Sequence, residues 1–592
     1  VGTGQPPRQV HARRRRVTTA GETPPALVAR VVPNVTGLDK QFDYLVPIAM
    51  RDRVAVGSLV RVPLHGRKVG GWVVSIGPMD PAVPEDKLLP IAKWSSVGPS
   101  AEVIELAEWA EGRWAAARLR PFLVTADPPT MVAAVPAVRR STTHGAAPVA
   151  SGVRVTAPLT DPLPMVVEIV RRGPTLVVHP TPAAAKAIAN RLRKAGLTVA
   201  HLPNDWAAAA GGVDVVVGSR AAVWAPCPDL RSIVVLDEHD EALQEERTPT
   251  WHARDVAIER AARAGAACVL VSPCPTATAL RWAGHAVERL SASDLVNGWP
   301  FLEIIDRTDE EPWKRSLLTS ELIAHLRDHD KRVVCVLNTT GRARLLACRS
   351  CRTLQRCVTC EAAVAQGDDE SLTCRRCGTT RPIVCQQCGS SAMALMKPGV
   401  ARLQEELTAA ANRPVVAVTG ASDELPGADV YVGTEAVLHR VRNVDVVAFL
   451  DFDAELLAPR YRAAEQAMAL LVRSGRLVGP RSGGGRVLVQ TFVPHHEVLQ
   501  AARFADLSTL ADTELARRRL LGLPPFRALA VIEGSGAAAM GAELAGAGME
   551  TAATAAGVMV RADTWHELGE ALLAVPRPKG SRLRVEVDPP RA

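Results

Sequence analysis

The 592 residues carry a net charge of +8 and 47% are hydrophobic, which gives room for three to five domains, each with its own core. That charge permits a nucleic-acid surface without requiring one, and the bias toward Arg, Ala, Val, Gly and Pro has little functional meaning by itself. Every apolar run is broken by charge or proline well short of the roughly 18 residues that cross a bilayer, so a soluble, cytoplasmic protein is expected.

Residues 1–27 hold the basic run Arg13–Arg16 without apolar periodicity, the pattern of a disordered tail. From 28 to 128 a small β-rich domain is predicted, with strands over Leu27–Val32, Phe42–Val46, Leu59–Val62 and Gly71–Ile76, followed by one amphipathic helix over Ile104–Leu119. Residues 129–160, rich in Pro, Ala, Ser and Thr, read as a linker. Beyond it short apolar strands alternate with helical stretches: Thr175–Val178, Val213–Val217, Ile233–Leu236, Cys268–Val271, Arg332–Leu337, Pro414–Val418, Val430–Val432, Val444–Leu450 and Val487–Gln490. Strands separated by helices imply parallel sheets, and the run is long enough for two α/β lobes, one at 161–300 and one at 301–347 plus 390–526. Residues 527–592 are predicted to form a small α+β domain.

The second lobe is interrupted by Cys348/Cys351, Cys357/Cys360, Cys374/Cys377 and Cys385/Cys388, each pair with two residues between its members. Four such pairs supply two complete tetrahedral Cys₄ zinc sites within a 348–389 insertion, and Gly378 and Gly389 follow two of them as zinc knuckles require. Disulfides are the alternative, but no secretory signal is evident and a reducing compartment is expected. The inner pairs Cys357/Cys360 and Cys374/Cys377 are expected to share one ion. The outer pairs Cys348/Cys351 and Cys385/Cys388 should share the other, because a hairpin that joins the inner pairs also returns the outer ones. The scattered Cys227, Cys268, Cys274 and Cys335 read as core or loop thiols.

Two lobes raise the question of a nucleotide site. A phosphate-binding loop needs glycines, a lysine and a Ser or Thr for magnesium, yet the chain contains no Gly-Lys dipeptide. Where such a loop belongs, ahead of Thr175–Val178, stands Pro158-Leu-Thr-Asp-Pro-Leu-Pro-Met165, in which three prolines remove three N–H donors. After Ile233–Leu236 comes Asp237-Glu238-His239-Asp240, similar to an acidic box that holds magnesium.

Further motifs run along the chain: Phe42-Asp43-Tyr44, Val60-Arg-Val-Pro63, Gly66, Gly71-Trp-Val-Val-Ser75, Gly218-Ser219-Arg220, Trp251-His-Ala-Arg-Asp255, Asn338-Thr-Thr-Gly341, Gly433-Thr434-Glu435, Leu450-Asp-Phe-Asp453, Tyr461-Arg-Ala-Ala-Glu465, Leu520-Leu-Gly-Leu-Pro-Pro525 and Val585-Glu-Val-Asp-Pro589. With the eight cysteines in register among them, this order resembles the replication-restart helicase family of primosomal protein N-prime, PriA. The resemblance implies an amino-terminal domain that captures a DNA 3′ end, with Phe42, Asp43 and Gly66 lining the pocket and Arg67 and Lys68 touching phosphate. An aromatic face stacks a base while a carboxylate accepts from a sugar hydroxyl. The resemblance also implies the same nesting of the two zinc ions. As partners it implies forks with a 3′ end, single-stranded-DNA-binding protein, primosome proteins and the replicative helicase, at the nucleoid and away from membranes.

Departures from the family pattern define the second expectation. The Gly-Lys-Thr loop is missing, Leu236 replaces the first carboxylate of the box, Ser272-Pro-Cys-Pro275 stands for Ser-Ala-Thr-Pro, and His439-Arg440 replaces Lys-Gly. The arginine-finger motif is eroded around Arg473-Ser-Gly-Arg476, and about thirty linker residues cannot hold the family's winged-helix module. Each lost donor to the γ-phosphate costs about 10²-fold in rate. ATP and magnesium, the family's cofactors, are therefore expected to go unused, which makes the chain a fork-binding scaffold of replication restart. The competing expectations are a 3′-to-5′ helicase in which Lys186 or Arg220 takes over the phosphate role, and a zinc-ribbon adaptor unrelated to replication.

Overall fold

The computed structural model describes residues 26–591 except 81–83, 85–86, 138–148, 310–316, 339–345, 367–370, 375, 396–399, 419–424, 555–556 and 579. The basic run Arg13–Arg16 and the stretch Thr339–Gly341 lie outside the described residues. The chain divides into two compact units, one up to Ser96 and one from Val97.

The first unit is a five-stranded antiparallel sheet in the order Phe42–Leu45, Leu27–Pro33, Arg67–Pro78, Leu59–Leu64, Lys93–Ser96. Alternation puts Ala29, Val31, Tyr44, Val60, Val62 and Trp72 into its core. The edge strand Lys93–Ser96 was not expected from the sequence. It is four residues long, with only Trp94 and Ser96 buried.

The second unit holds the two lobes. The first is a seven-stranded parallel sheet in the order Val287–Arg289, Gly152–Val155, Ala267–Ser272, Ser232–Leu236, Thr175–Val178, Val215–Gly218, Val199–His201. Its central strands are buried along their whole length, as the near-continuous Val, Ile and Leu runs require of a sheet covered on both faces. The second lobe is a six-stranded parallel sheet: Phe301–Asp306, Arg486–Thr491, Val446–Phe449, Val333–Val336, Val430–Gly433, Val415–Val418. The cysteine segment is inserted after Val333–Val336 as a two-stranded and a three-stranded antiparallel sheet. Residues 528–587 form a four-stranded antiparallel sheet carrying the helices Ala537–Gly546 and Trp565–Ala574.

Two local expectations differ from the structure. The helix read over 104–119 is instead Ala101–Arg113 followed by Arg120–Ala126. Ala115 takes a left-handed conformation, and Pro121, unable to donate inside a helix, sits in the first turn of the second one. Gly152–Val155, inside the stretch read as linker, is a strand of the first lobe between Ala267–Ser272 and Val287–Arg289.

Candidate functional site

The eight cysteines form two groups, Cys348/Cys351/Cys385/Cys388 and Cys357/Cys360/Cys374/Cys377, with the ligand atoms of each within 4.8 Å of one another. This is the nested pairing expected from the sequence. Sulfur–sulfur distances of 3.4–3.5 Å exclude disulfides and approach the ~3.8 Å separation of a tetrahedral site with 2.3 Å Zn–S bonds. Backbone N–H groups of Ser350, Thr359 and Gln387 point at Cys348, Cys357 and Cys385 sulfur at 3.3–3.4 Å. Each knuckle closes on a left-handed residue whose N–H returns to the carbonyl of the first cysteine. Gly378 and Gly389 were legible in that role, while Arg352 (φ 65°) and Glu361 (φ 60°) fill it in the other two knuckles without a glycine signal. Each group therefore fits one zinc ion. The inner set is largely buried in a cluster with Leu346, Ala362, Val364 and Leu372, while Cys351 and Cys388 of the outer set are exposed.

In the first lobe all strands are parallel, so the expected motifs collect at their carboxyl ends, where α/β sheets hold ligands. The strand Gly152–Val155 leads into 156–162 and then the helix Leu163–Val170, the position of a phosphate loop. Its donors are turned inward. Ala157 N–H donates to Thr160 Oγ1 (3.0 Å), Thr160 N–H to Ala157 O (3.1 Å), and Leu163 N–H to Asp161 Oδ1 (3.1 Å). Asp161 puts a carboxylate at the helix start and pairs with Arg191 (2.9 Å). With Pro158, Pro162 and Pro164 lacking N–H groups, nothing here resembles a phosphate cradle.

The acidic box is also closed. Glu238, 1% exposed, accepts from Arg254 (2.9 Å), Thr276 Oγ1 (2.6 Å) and Thr276 N–H (3.1 Å). His239 contacts Ser272 Oγ at 2.8 Å, and burial lowers its pKa. Asp237 is held by Arg476 at 2.7 Å, and Arg476 Nε donates to Pro158 O (2.9 Å). Arg473 reaches Asp240 (3.2 Å), Glu435 and His439 (both 2.8 Å). The eroded arginine-finger stretch of the second lobe thus clamps directly onto the acidic box of the first. Burial alone would raise the Asp237 pKa, but the Arg476 hydrogen bond and charge outweigh it and hold it at about 2. The alternative phosphate residues are placed otherwise: Arg220 bonds Ala242 O (3.3 Å), Gln244 O (3.2 Å) and Glu245 (2.8 Å), and Lys186 lies exposed on Pro182–Lys194, after a different strand.

A second buried network joins two of the motifs quoted from the sequence, Tyr461-Arg-Ala-Ala-Glu465 and Val585-Glu-Val-Asp-Pro589, to which no role was assigned there. Asp588 accepts from Tyr461 Oη and Arg462, both at 2.7 Å, while its own carbonyl accepts from Gln244 (2.9 Å) and Val587 O accepts from Thr250 (3.0 Å). The chain after Leu583–Val587 therefore ties the C-terminal sheet to both lobes.

In the first unit, Phe42 pairs with Val31 and is half-buried on the core face, whereas Asp43 pairs with Arg30 on the opposite face, since side chains alternate along a strand. Asp43 is exposed and makes a two-point contact with Arg30, at 2.9 and 3.2 Å. His65 and Gly66, both left-handed, make the two-residue turn between Leu59–Leu64 and Arg67–Pro78, which accounts for a glycine there. Arg67 and Lys68 are exposed beside it. Since Val31 pairs with both Phe42 and Val73, and Pro33 with Gly71, the turns 34–41 and 65–66 leave the same end of the sheet. Residues 67–70 overhang that end by about 13 Å.

Residues 30–120 match the family described as PriA 3′DNA-binding domain (3′BD). The chain is 30% identical over 346 residues to replication restart protein PriA of Bacillus subtilis, covering 54% of this chain and 43% of that protein. It is 27% identical over 354 residues to the protein of the same name from Rickettsia conorii, covering 55% and 54%. The match thus spans about half the length of these relatives. The probable replication restart protein PriA of Mycobacterium tuberculosis is 29% identical over 577 residues, covering 85% of each chain. With the cysteine register and both lobes in place, the chain is similar to the replication restart proteins PriA over most of its length.

Proposed function

We propose that this protein recognises abandoned or stalled replication forks through their 3′ end and promotes reloading of the replicative helicase, as a scaffold that does not separate strands itself. The 28–128 segment reads the DNA, with Phe42, Asp43, Gly66, Arg67 and Lys68 at or near the 3′ terminus, and the zinc insertion offers a docking face to primosome proteins and single-stranded-DNA-binding protein. It acts in the cytoplasm, at the nucleoid. The observation that supports the scaffold reading is the Arg476–Asp237 and Arg473–Asp240 clamp at the cleft between the lobes, beside a loop whose N–H groups are internally bonded or replaced by proline. Binding and hydrolysis of ATP depend on those donors.

The test is ATP hydrolysis by the zinc-loaded protein with and without forked DNA, alongside fork binding. Background hydrolysis with intact binding is the expected result. The second reading, an active 3′-to-5′ helicase, rests on retention of Asp237 and Glu238. Magnesium- and DNA-dependent hydrolysis lost in the Asp237→Ala/Glu238→Ala double variant would establish it instead.

A further inference from the structure

A cleft of about 490 Å³ opens between the inner zinc module and the second lobe. It lies at the carboxyl ends of the adjacent strands Phe301–Asp306 and Arg486–Thr491, the crevice in which open α/β sheets take ligands. Arg356 and Arg376 of the zinc insertion form one wall, and Thr308 with the 492–496 segment forms the other.

Arg356, Arg376 and Arg517 line it together with Asp306, Glu361 and Glu497, and the two arginines of the zinc insertion are the ones left short of hydrogen-bond partners. Arg376 is 8% exposed, yet among the described residues its Nε and one terminal nitrogen make no hydrogen bond, and the carboxylate paired with it, Glu514, stands off at 3.8 Å. Arg356 has no hydrogen-bond or ion-pair partner among the described residues. Two of the carboxylates on the rim are engaged: Asp306 accepts from Thr308 N–H (2.9 Å) and Glu497 from Arg517 (2.7 Å). The third, Glu361, is exposed in its knuckle turn. A buried guanidinium with open donors is costly until an anion completes it. His496 reports the same field, because burial together with the charges of Arg517, Arg356 and Arg376 lowers its pKa to about 4. Its Nδ1 accepts from Val498 N–H (3.3 Å), so the neutral ring carries its proton on Nε2 and is a donor.

We infer that this cleft binds a phosphoryl group, with Arg356 and Arg376 supplying paired N–H donors and His496 a neutral one. The planar guanidinium matches phosphate oxygens two at a time. The source is either the backbone of a nucleic-acid strand passing the second lobe or a free phosphate compound. The site is in the second unit, so it stands whether or not the 3′-end reading does.

The test uses the full-length, zinc-loaded protein with a 3′-blocked, fluorescein-labelled 15-mer of deoxythymidylate and, separately, inorganic pyrophosphate in a calorimeter. If strand phosphates bind here, the Arg356→Gln/Arg376→Gln variant weakens 15-mer binding about tenfold. It also lowers the slope of log K against log salt by about 1.4, or roughly 0.7 for each contact to a single strand. If the ligand is free, the 15-mer is unaffected and a one-to-one pyrophosphate site disappears in the variant. Thr308→Glu, on the lobe wall and outside the zinc insertion, should give the same losses with both zinc ions retained, which keeps the test decisive if the arginine variant loses metal. Unchanged 15-mer affinity and salt slope, together with no pyrophosphate site or one that survives every variant, would overturn the inference.

Discussion

Replacing Arg476 with alanine should unlatch the two lobes without unfolding either. Asp237 is 13% exposed, and its pKa lies at about 2 instead of 3.8, a displacement equivalent to about 2.5 kcal/mol of preference for the charged, paired form. Arg476 is 37% exposed, so solvent screening reduces the pair to about 1–2 kcal/mol. Loss of the Nε–H bond to Pro158 O adds about 1 kcal/mol. A total of about 2–3 kcal/mol corresponds to an opening population about 30- to 150-fold larger, readable by native-state hydrogen exchange at residues 157–163 and 479–485. The folded-state pKa is depressed, so the pair's contribution is complete above the unfolded value near 4 and is lost as pH falls from there through 2. The exchange difference between the variant and the wild-type protein should accordingly be constant from pH 5 to 8 and shrink below pH 4. ATP should not be hydrolysed by the unlatched variant, because Pro158, Pro162 and Pro164 still provide no donors. Unchanged exchange at those segments, or an equal acceleration across the C-terminal sheet at 528–587, would refute the latch.

Metal analysis should find two zinc ions per chain; Cys374→Ser and Cys388→Ser should each leave one, and a chelator should strip the exposed outer site before the buried inner one. Phe42→Ala and Asp43→Ala should each weaken binding to forks with a free 3′ end by about 1–3 kcal/mol, measured by anisotropy. A 3′-phosphate block should weaken wild-type binding and leave these variants little further affected. Asp588→Asn should cost about 3–5 kcal/mol, because the buried Arg462 keeps its charge and loses its partner; a thermal transition unshifted from wild type would contradict this.

Legibility in the sequence followed how local each signal is. Thr175–Val178 and Ala267–Ser272 could be read because uninterrupted apolar runs are required of strands covered on both faces. Gly152–Val155, with Arg154 in its middle and proline-rich chain before and after it, lacks that contrast and reads as linker. The two zinc sites were legible because a CxxC knuckle is a single turn, but Arg352 and Glu361 give no hint of their left-handed backbone. That residues 156–164 offer few free N–H donors could be read from their prolines. That Arg476 would close onto Asp237 could not, since the two are 239 residues apart and only the packing of one lobe against the other brings them together.

The tie between Gln244 and Asp588 spans 344 residues. At ribosomal rates of about 5–20 residues per second, the segment 244–252 emerges about 17–70 s before the strand that completes it. During that interval the Gln244 amide and the Thr250 hydroxyl, both buried in the finished protein, lack the carbonyls of Asp588 and Val587. The first lobe's nascent form is therefore a waiting state with a wet, open seam, and the C-terminal strand acts in time as well as in space, sealing both lobes in one late step.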